Sequence, residues 1–224
     1  MTDTTRRYKH ILFDFDGTIA DTIDDLIEAK VEALRVMGVT EVDTDLLSSF
    51  LGMNLRDSIV LSTNIQNEMI VREAMDIYND ILTKRAISRL HLYDHVGEML
   101  ERLKKNGIGI GIFSLRRDRD IDAVIRHHGL DRLVEAWIGE DAVENPKPAP
   151  DMIYELLERM HAEPEETIVV GDTIYDIEMG QLTGSFTVAF TGGAQPAKLL
   201  GRCKPDLIVD KFDDFPACFD RRTA

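Results

Sequence analysis

The length, composition and charge of the chain exclude several classes of protein. Its 224 residues, 44% of them hydrophobic, suffice for one substantial core with a smaller attached module. The formal charge of −15, with no basic run to offset it, argues against binding to nucleic acid or to an anionic membrane surface.

The chain shows no sign of a membrane span or a secretory leader. No segment approaches the roughly 20 apolar residues of a membrane helix, and the polar residues 1–7 lack the apolar stretch of a signal peptide. We therefore expect a cytoplasmic protein. Cys203 and Cys218 have neither zinc nor redox spacing, so they are expected to be reduced thiols without a role.

Short apolar runs, mostly separated by helical patterns, predict a doubly wound parallel α/β sheet of the Rossmann-like type. The predicted strands are residues 11–13, 108–113, 136–138, 167–170, 186–190 and 207–209, and the helices that follow are predicted at 96–105, 118–128 and 151–160. In such a sheet, ligands bind at the carboxyl ends of the strands.

A long segment after the first strand lacks any convincing strand pattern. It predicts helices at 22–37, 45–50, 55–61 and 68–87. We expect residues 1–18 and 89–224 to form the α/β core and residues 19–88 to form an inserted α-helical cap domain. The alternative is a helical elaboration that makes no contact with a substrate.

Two carboxylates, Asp14 and Asp16, stand where the first predicted strand opens into a turn at Gly17 and Thr18. Residues two apart in a strand point the same way, and a glycine turn lets backbone N–H groups approach a bound anion. One carboxylate could attack phosphorus while its neighbour moves protons. Acidic residues that merely solvate a strand end are the alternative for this motif taken alone.

Three further segments follow predicted strands or lie in a loop between elements. They carry Ser114, Lys147 in a proline-rich loop, and Asp172 with Asp176. With the first segment, they resemble, in order, the four motifs of the haloacid dehalogenase (HAD) superfamily of phosphatases. The resemblance spans nearly the whole chain, and it implies a helical cap that acts as a mobile lid.

The resemblance implies a role for each of these polar groups. Asp14 would be the nucleophile that forms an aspartyl-phosphate, and Asp16 would be the general acid and base. An aspartate at position 16 implies phosphate-ester chemistry, since dehalogenase and phosphonatase branches carry other residues there. Ser114 would hold a phosphoryl oxygen, and Lys147 would neutralise charge near Asp14.

A metal site is expected beside these groups. Asp172 and Asp176 could face one cation across a turn into a helix, and hard oxygen ligands suit Mg²⁺. The resemblance implies that Asp14, the backbone carbonyl of Asp16, and Asp172 bind this ion. Asp176 would either ligate it directly or orient a metal-bound water and Lys147.

The second motif departs from many relatives, which carry a polar residue where this chain has Leu115. The missing donor could weaken phosphate binding, or Arg116 could replace it. We expect Gly17, Thr18, Leu115 and Arg116 to contact substrate. In the cap, Arg56 is a further candidate, although it could equally be a solvated helix charge, as could Lys84 and Arg85.

Within the superfamily, the chain most resembles the phosphoglycolate phosphatase-like group, through residues 52–58 and the form of the fourth motif. A β-phosphoglucomutase-like enzyme is one alternative, although such mutases tend to carry arginine where this chain has Leu55. A catalytically silent binding protein is another. The expected partner is a small phosphorylated metabolite; phosphoglycolate, sugar phosphates, nucleotides and pyrophosphate all stay open, as do the monomer and the homodimer.

Overall fold

The computed structural model describes residues 8–39 and 41–212 of the chain. The six strands are β1 (His10–Asp14), β2 (Gly109–Phe113), β3 (Ala136–Ile138), β4 (Thr167–Gly171), β5 (Phe186–Phe190) and β6 (Leu207–Val209). They form one parallel sheet in the order β3-β2-β1-β4-β5-β6. The predicted fold class is confirmed, and every strand lies within a residue or two of its expected position.

Helices cover both faces of this sheet and build the insertion. They are α1 (Ile23–Val36), α2 (Thr44–Ser49), α3 (Leu55–Thr63), α4 (Glu68–Arg89), α5 (Val96–Lys105), α6 (Asp118–His127), α7 (Asp151–Arg159), α8 (Ile174–Thr183) and α9 (Ala197–Leu200). None of those in the described part of the chain has the length and apolarity needed to cross a membrane. Cys203 is a free thiol. Cys218 and residues 1–7 lie outside the described residues.

The central strand shows why the sheet is covered on both sides. Along β1, Ile11 and Phe13 pack into one cluster with Leu100 of α5, while Leu12 packs into another with Leu156 of α7. Successive strand residues point to opposite faces, so an unbroken apolar run is what a strand with helices on both sides requires. Successive strands are added on one side of β1 up to β3 and on its other side from β4 onward. Doubly wound sheets bind ligands at such a switch point, here between β1 and β4.

Helices α1 to α4 have an apolar core of their own. Leu34, Leu47, Ile59 and Val71 are buried within it. Since a domain is recognised by a core that its own elements bury, this supports a separate cap. The division of the chain at residues 18/19 and 88/89 stays a prediction.

The insertion leaves and rejoins the core at one place. Ala20 and Leu92 form an antiparallel bridge, in which Asp21 N–H donates to the carbonyl of His91 at 2.9 Å and Tyr93 N–H donates to the carbonyl of Ile19 at 3.1 Å. The two connections between cap and core therefore lie side by side, six residues beyond the end of β1.

Candidate active site

A buried ion pair lies at the carboxyl end of β1. Asp14 is the last residue of that strand, and Lys147 Nζ lies 2.5 Å from Asp14 Oδ1 and 2.7 Å from Asp176 Oδ1. Burial lowers the pKa of Lys147, but attraction to both carboxylates outweighs it, so the pKa of Lys147 is raised. Lys147 therefore carries its positive charge over the whole physiological range. Its ammonium also lies 4.7 Å from the centre of the Phe113 ring, a favourable position for a cation.

Asp16 is held by a second cation. Arg116 donates to both of its carboxylate oxygens, from Nε at 2.9 Å and from Nη2 at 2.6 Å. The hydroxyl groups of Thr22 and Ser114 donate to the same carboxylate at 2.8 Å and 3.2 Å. A bidentate guanidinium fixes the orientation of a carboxylate more firmly than a single donor can. Burial lowers the pKa of Arg116, but Asp16 more than reverses this, and the net shift is upward.

Three buried carboxylates gather on the other side of Asp14. Oxygens of Asp14, Asp172 and Asp176 lie within 4.8 Å of one another. Burial, followed by repulsion from Asp176, raises the pKa of Asp172 to about 6, while hydrogen bonds from Ala194 N–H and the Thr18 hydroxyl oppose the rise. Burial, with repulsion from Asp176 and Asp172, also raises the pKa of Asp14 well above its usual value despite the attraction of Lys147. When all three carboxylates are ionised, they exceed the one ammonium of Lys147 by two negative charges. A divalent cation fits that excess, and the all-oxygen donor set suits Mg²⁺.

The beginning of α8 holds Asp176 in this cluster. Its Oδ2 accepts hydrogen bonds from the backbone N–H of Thr173 at 3.0 Å and from the Thr173 hydroxyl at 2.7 Å, which forms a capping box. Its Oδ1 meets Lys147. Asp176 thus both orients Lys147 and lies within reach of a shared cation, so the two roles foreseen for it are compatible.

Gly17 and Thr18 shape the loop instead of facing the cavity. Gly17 has φ +84°, and its N–H, which we expected to approach an anion, donates to the carbonyl of Ala20 at 2.8 Å. A side chain on Gly17 would collide with Asp172, which requires glycine at this close approach. The Thr18 hydroxyl is taken by Asp172 at 3.0 Å. Both residues therefore position Asp172, and their expected contacts with substrate stay a prediction.

Arg56 lies on the outer surface of the cap, and its expected contact with substrate stays a prediction. Its side chain is 48% exposed and forms ion pairs with Glu68 and Asp57 on the surface of the cap. A helix turns about 100° per residue, so the neighbouring Leu55 points inward while Arg56 points out. Arg85, the other arginine considered in the cap, pairs with Glu28 and Glu32 away from the cavity.

A cavity of about 60 Å³ joins the core site to the cap. Asp14, Asp16, Lys147 and Asp172 line it from the core, as do Leu115 and Arg116, whose contact with substrate stays a prediction. Nη1 of Arg116 has no hydrogen-bond partner among the described residues. The cap contributes residues that include Lys30, Leu51, Gly52, Met53, Leu55, Tyr78, Asn79 and Leu82.

Sequence reasoning missed Lys30. The signal was present, because Lys30 falls four residues after Leu26, three before Ala33 and four before Leu34, within the apolar stripe of α1. A charge at a core-facing position of an amphipathic helix indicates either a stem that reaches to solvent or a buried functional group. The structure shows the second arrangement, since the Lys30 side chain is buried.

The chain belongs to the haloacid dehalogenase-like hydrolase family. The profile of that family matches residues 11–190, which contain all four segments of the site. The resemblance drawn from the motifs is thereby confirmed, and the protein is a hydrolase of this family.

Individual relatives agree over nearly the full chain. Pyrophosphatase PpaX from Bacillus mycoides (strain KBAB4) is 30% identical over 207 residues, which cover 91% of this chain and 93% of the relative. The crystal structure of a haloacid dehalogenase-like hydrolase from Bacteroides fragilis has a TM-score of 0.87 at 26% identity and covers 93% of this chain and 100% of its own. A predicted phosphoglycolate phosphatase from Haemophilus somnus 129pt has a TM-score of 0.83 at 22% identity, covers 96% and 98% of the two chains, and shows the shared fold.

Proposed function

We propose that the protein is a magnesium-dependent phosphatase that hydrolyses a small phosphorylated metabolite through an aspartyl-phosphate at Asp14. The observation that carries the proposal is the meeting of three groups in one buried cavity. These are Asp14 against Lys147, Asp16 held by Arg116, and the carboxylate cluster with Asp172. Such a set supplies a nucleophile, a proton carrier and charge neutralisation.

In the first step, an oxygen of Asp14 attacks phosphorus and the bond from phosphorus to the leaving oxygen breaks. Asp16, protonated at that moment, gives its proton to the leaving oxygen. In the second step, Asp16 accepts a proton from a water molecule whose oxygen attacks phosphorus, which releases phosphate and restores Asp14. Arg116 keeps the Asp16 carboxylate oriented between these steps, and Lys147 neutralises charge that develops beside Asp14.

The metal would be held by Asp14, Asp172, Asp176 and the backbone carbonyl of Asp16. Bound Mg²⁺ would stabilise negative charge on the phosphoryl oxygens in the transition state. The excess of two negative charges in the carboxylate cluster supports this part of the proposal.

The cap supports hydrolysis over the mutase alternative. Leu55, at the position where mutases of this superfamily tend to carry arginine, lines the cavity, and the adjacent Arg56 is paired with Glu68 outside it. Release of inorganic phosphate without a bisphosphate activator is the outcome expected of a phosphatase and not of a mutase.

The test is a phosphate-release assay over a panel of phosphorylated metabolites, with Mg²⁺ and with a chelator. The names of the relatives place pyrophosphate and phosphoglycolate on that panel. Hydrolysis should require the metal, and Asp14→Asn should lower kcat on the order of 10³-fold or more. Asp131→Asn, at an exposed position, is the matched control and should behave as wild type. Unchanged hydrolysis by Asp14→Asn overturns the proposal, and binding of a ligand without turnover in the wild type favours a silent binding protein.

A further inference from the structure

Lys30 is a buried cation that forms no ion pair in the part of the chain that the structure describes. It lies near the middle of α1, its exposed fraction is 5%, and Nζ donates one hydrogen bond, to Ser58 Oγ of α3 at 2.9 Å. Within residues 8–39 and 41–212, no carboxylate lies within ion-pair distance of Lys30. An ammonium group removed from water is costly unless an anion compensates it, so this arrangement needs an explanation.

The other cations that face the cavity are compensated. Lys147 contacts Asp14 and Asp176, and Arg116 contacts Asp16. Burial lowers the pKa of Lys30 to about 8, with no charged neighbour contributing to the shift. At neutral pH most molecules therefore still carry this charge, which faces the cavity with two of its three protons unused by Ser58.

The position of Lys30 relative to the core site determines what it can meet. Asp14 and Lys147 line the cavity from the core, where the phosphoryl group must lie for Asp14 to attack. Lys30 lines the same cavity from the cap, on the side left for the remainder of the substrate. The cavity that Lys30 and Asp14 share is small, about 60 Å³, which favours a compact substrate.

We propose that Lys30 binds an anionic group on the leaving-group side of the substrate, with Ser58 orienting the ammonium. The substrate is then a short molecule that carries a second negative group, a carboxylate or a phosphate, close to the phosphoryl group that is transferred. This inference rests on the proposed phosphatase function and narrows its substrate class. Compact diphosphates and phosphorylated hydroxy acids satisfy it, whereas esters of neutral alcohols leave Lys30 uncompensated.

A pair of substrates that differ only in this group provides the test. Phosphoglycolate and 2-hydroxyethyl phosphate have similar length, but a carboxylate in the first is replaced by a neutral hydroxymethyl group in the second. The wild type should prefer phosphoglycolate. Lys30→Met should lower kcat/KM for phosphoglycolate by roughly 10- to 100-fold, mainly through KM, because a charge-assisted contact is lost. It should change kcat/KM for 2-hydroxyethyl phosphate by less than about threefold. Pyrophosphate and methyl phosphate form a second pair, in which only the ratio of Lys30→Met to wild type is compared for each substrate, because their leaving groups differ in intrinsic reactivity.

Two further variants control the comparison. Lys30→Arg keeps the charge and should retain part of the preference, while Lys84→Met removes a charge from the exposed face of α4 and should leave both substrates unaffected. Thermal unfolding of Lys30→Met should show no loss of stability, which separates a binding defect from a folding defect.

The outcomes separate this inference from the function on which it rests. Equal losses for both members of a pair, or no loss for either, overturn the role of Lys30 while hydrolysis itself stands. A wild type that prefers the neutral member overturns it as well. Absence of hydrolysis across the whole panel refutes the phosphatase proposal, and the role of Lys30 with it.

Discussion

The core and the cap face the same cavity, but their buried cations differ in whether a carboxylate compensates them. On the core side, Lys147 and Arg116 each meet carboxylates within 3 Å. On the cap side, Lys30 meets a hydroxyl group and no carboxylate among the described residues. In the proposed reaction, the core groups act on the phosphoryl group, which is common to all substrates, so they can be organised in advance. On the cap side, we propose that the bound substrate compensates the charge of Lys30.

The largest effect on this contrast is expected when a cation is removed from the core. Lys147→Met should lower kcat by at least about 10²-fold, since a group that neutralises transition-state charge is lost. It should also cost on the order of 3–5 kcal/mol of unfolding free energy, because the buried Asp14 and Asp176 lose their shared partner. Phosphate-release kinetics and denaturant unfolding measure the two effects. Lys105→Met, on the exposed end of α5, is the control. Wild-type turnover in Lys147→Met would contradict the assigned role.

A smaller effect is expected at Arg116, which acts mainly through Asp16. Arg116→Met should lower kcat by roughly 10- to 100-fold, because the acid and base loses its orientation. Phosphate-release kinetics measure this loss. Arg116→Lys should restore only part of the rate, since lysine keeps the charge but cannot form the bidentate contact. Wild-type kcat in Arg116→Met would mean that Arg116 serves only as packing.

The pH dependence of Lys30 sharpens the comparison from the cap side. Its pKa is about 8 in the folded protein, below the ordinary lysine value, so between these two values the unfolded chain binds more protons. The wild type should therefore gain stability relative to Lys30→Met as pH rises through this interval, on the order of 3 kcal/mol in total. Below about pH 8 the difference should be constant, with the variant the more stable. Comparison with Lys30→Met cancels the titration of groups that both proteins share, and the neighbouring Tyr78 stays neutral because burial raises its pKa.

The same titration should appear in binding. KM for an anionic substrate should rise above about pH 8 as Lys30 loses its charge, while KM for the neutral partner of each substrate pair should not follow it. Chemical denaturation across a pH series and paired kinetics measure the two consequences. A stability difference that does not change with pH would show that Lys30 titrates as an ordinary solvated lysine.

The smallest effect is expected at Arg56, on the outer surface of the cap. Arg56→Gln should change kcat/KM for every substrate by no more than about twofold, because its contacts with Glu68 and Asp57 are exposed and distant from the cavity. Steady-state kinetics on both substrate pairs check this. A selective loss for the anionic substrates would show that Arg56, and not Lys30, recognises the second negative group.

The sequence allowed the core to be predicted almost completely. β1 and β4 are buried apolar runs, and the polar groups that directly follow parallel strands must meet at one edge of the sheet. The cap was harder, because periodicity identifies the face of a helix but not what that face meets. A lysine within the apolar face of α1 is also compatible with a side chain whose methylene groups pack in the core while its ammonium reaches solvent. Arg56 shows the same limit of periodicity, since one residue along α3 separates a side chain in the cavity from one in water.

The bridge between Ala20 and Leu92 has a consequence for how the molecule can diversify. The bridge joins the segment that enters the cap to the segment that leaves it. Residues 23–89 can therefore be lengthened, shortened or exchanged while the strand that ends at Asp14 keeps its position. The reaction can thus be kept while the range of substrates changes, through replacement of a single contiguous stretch of sequence.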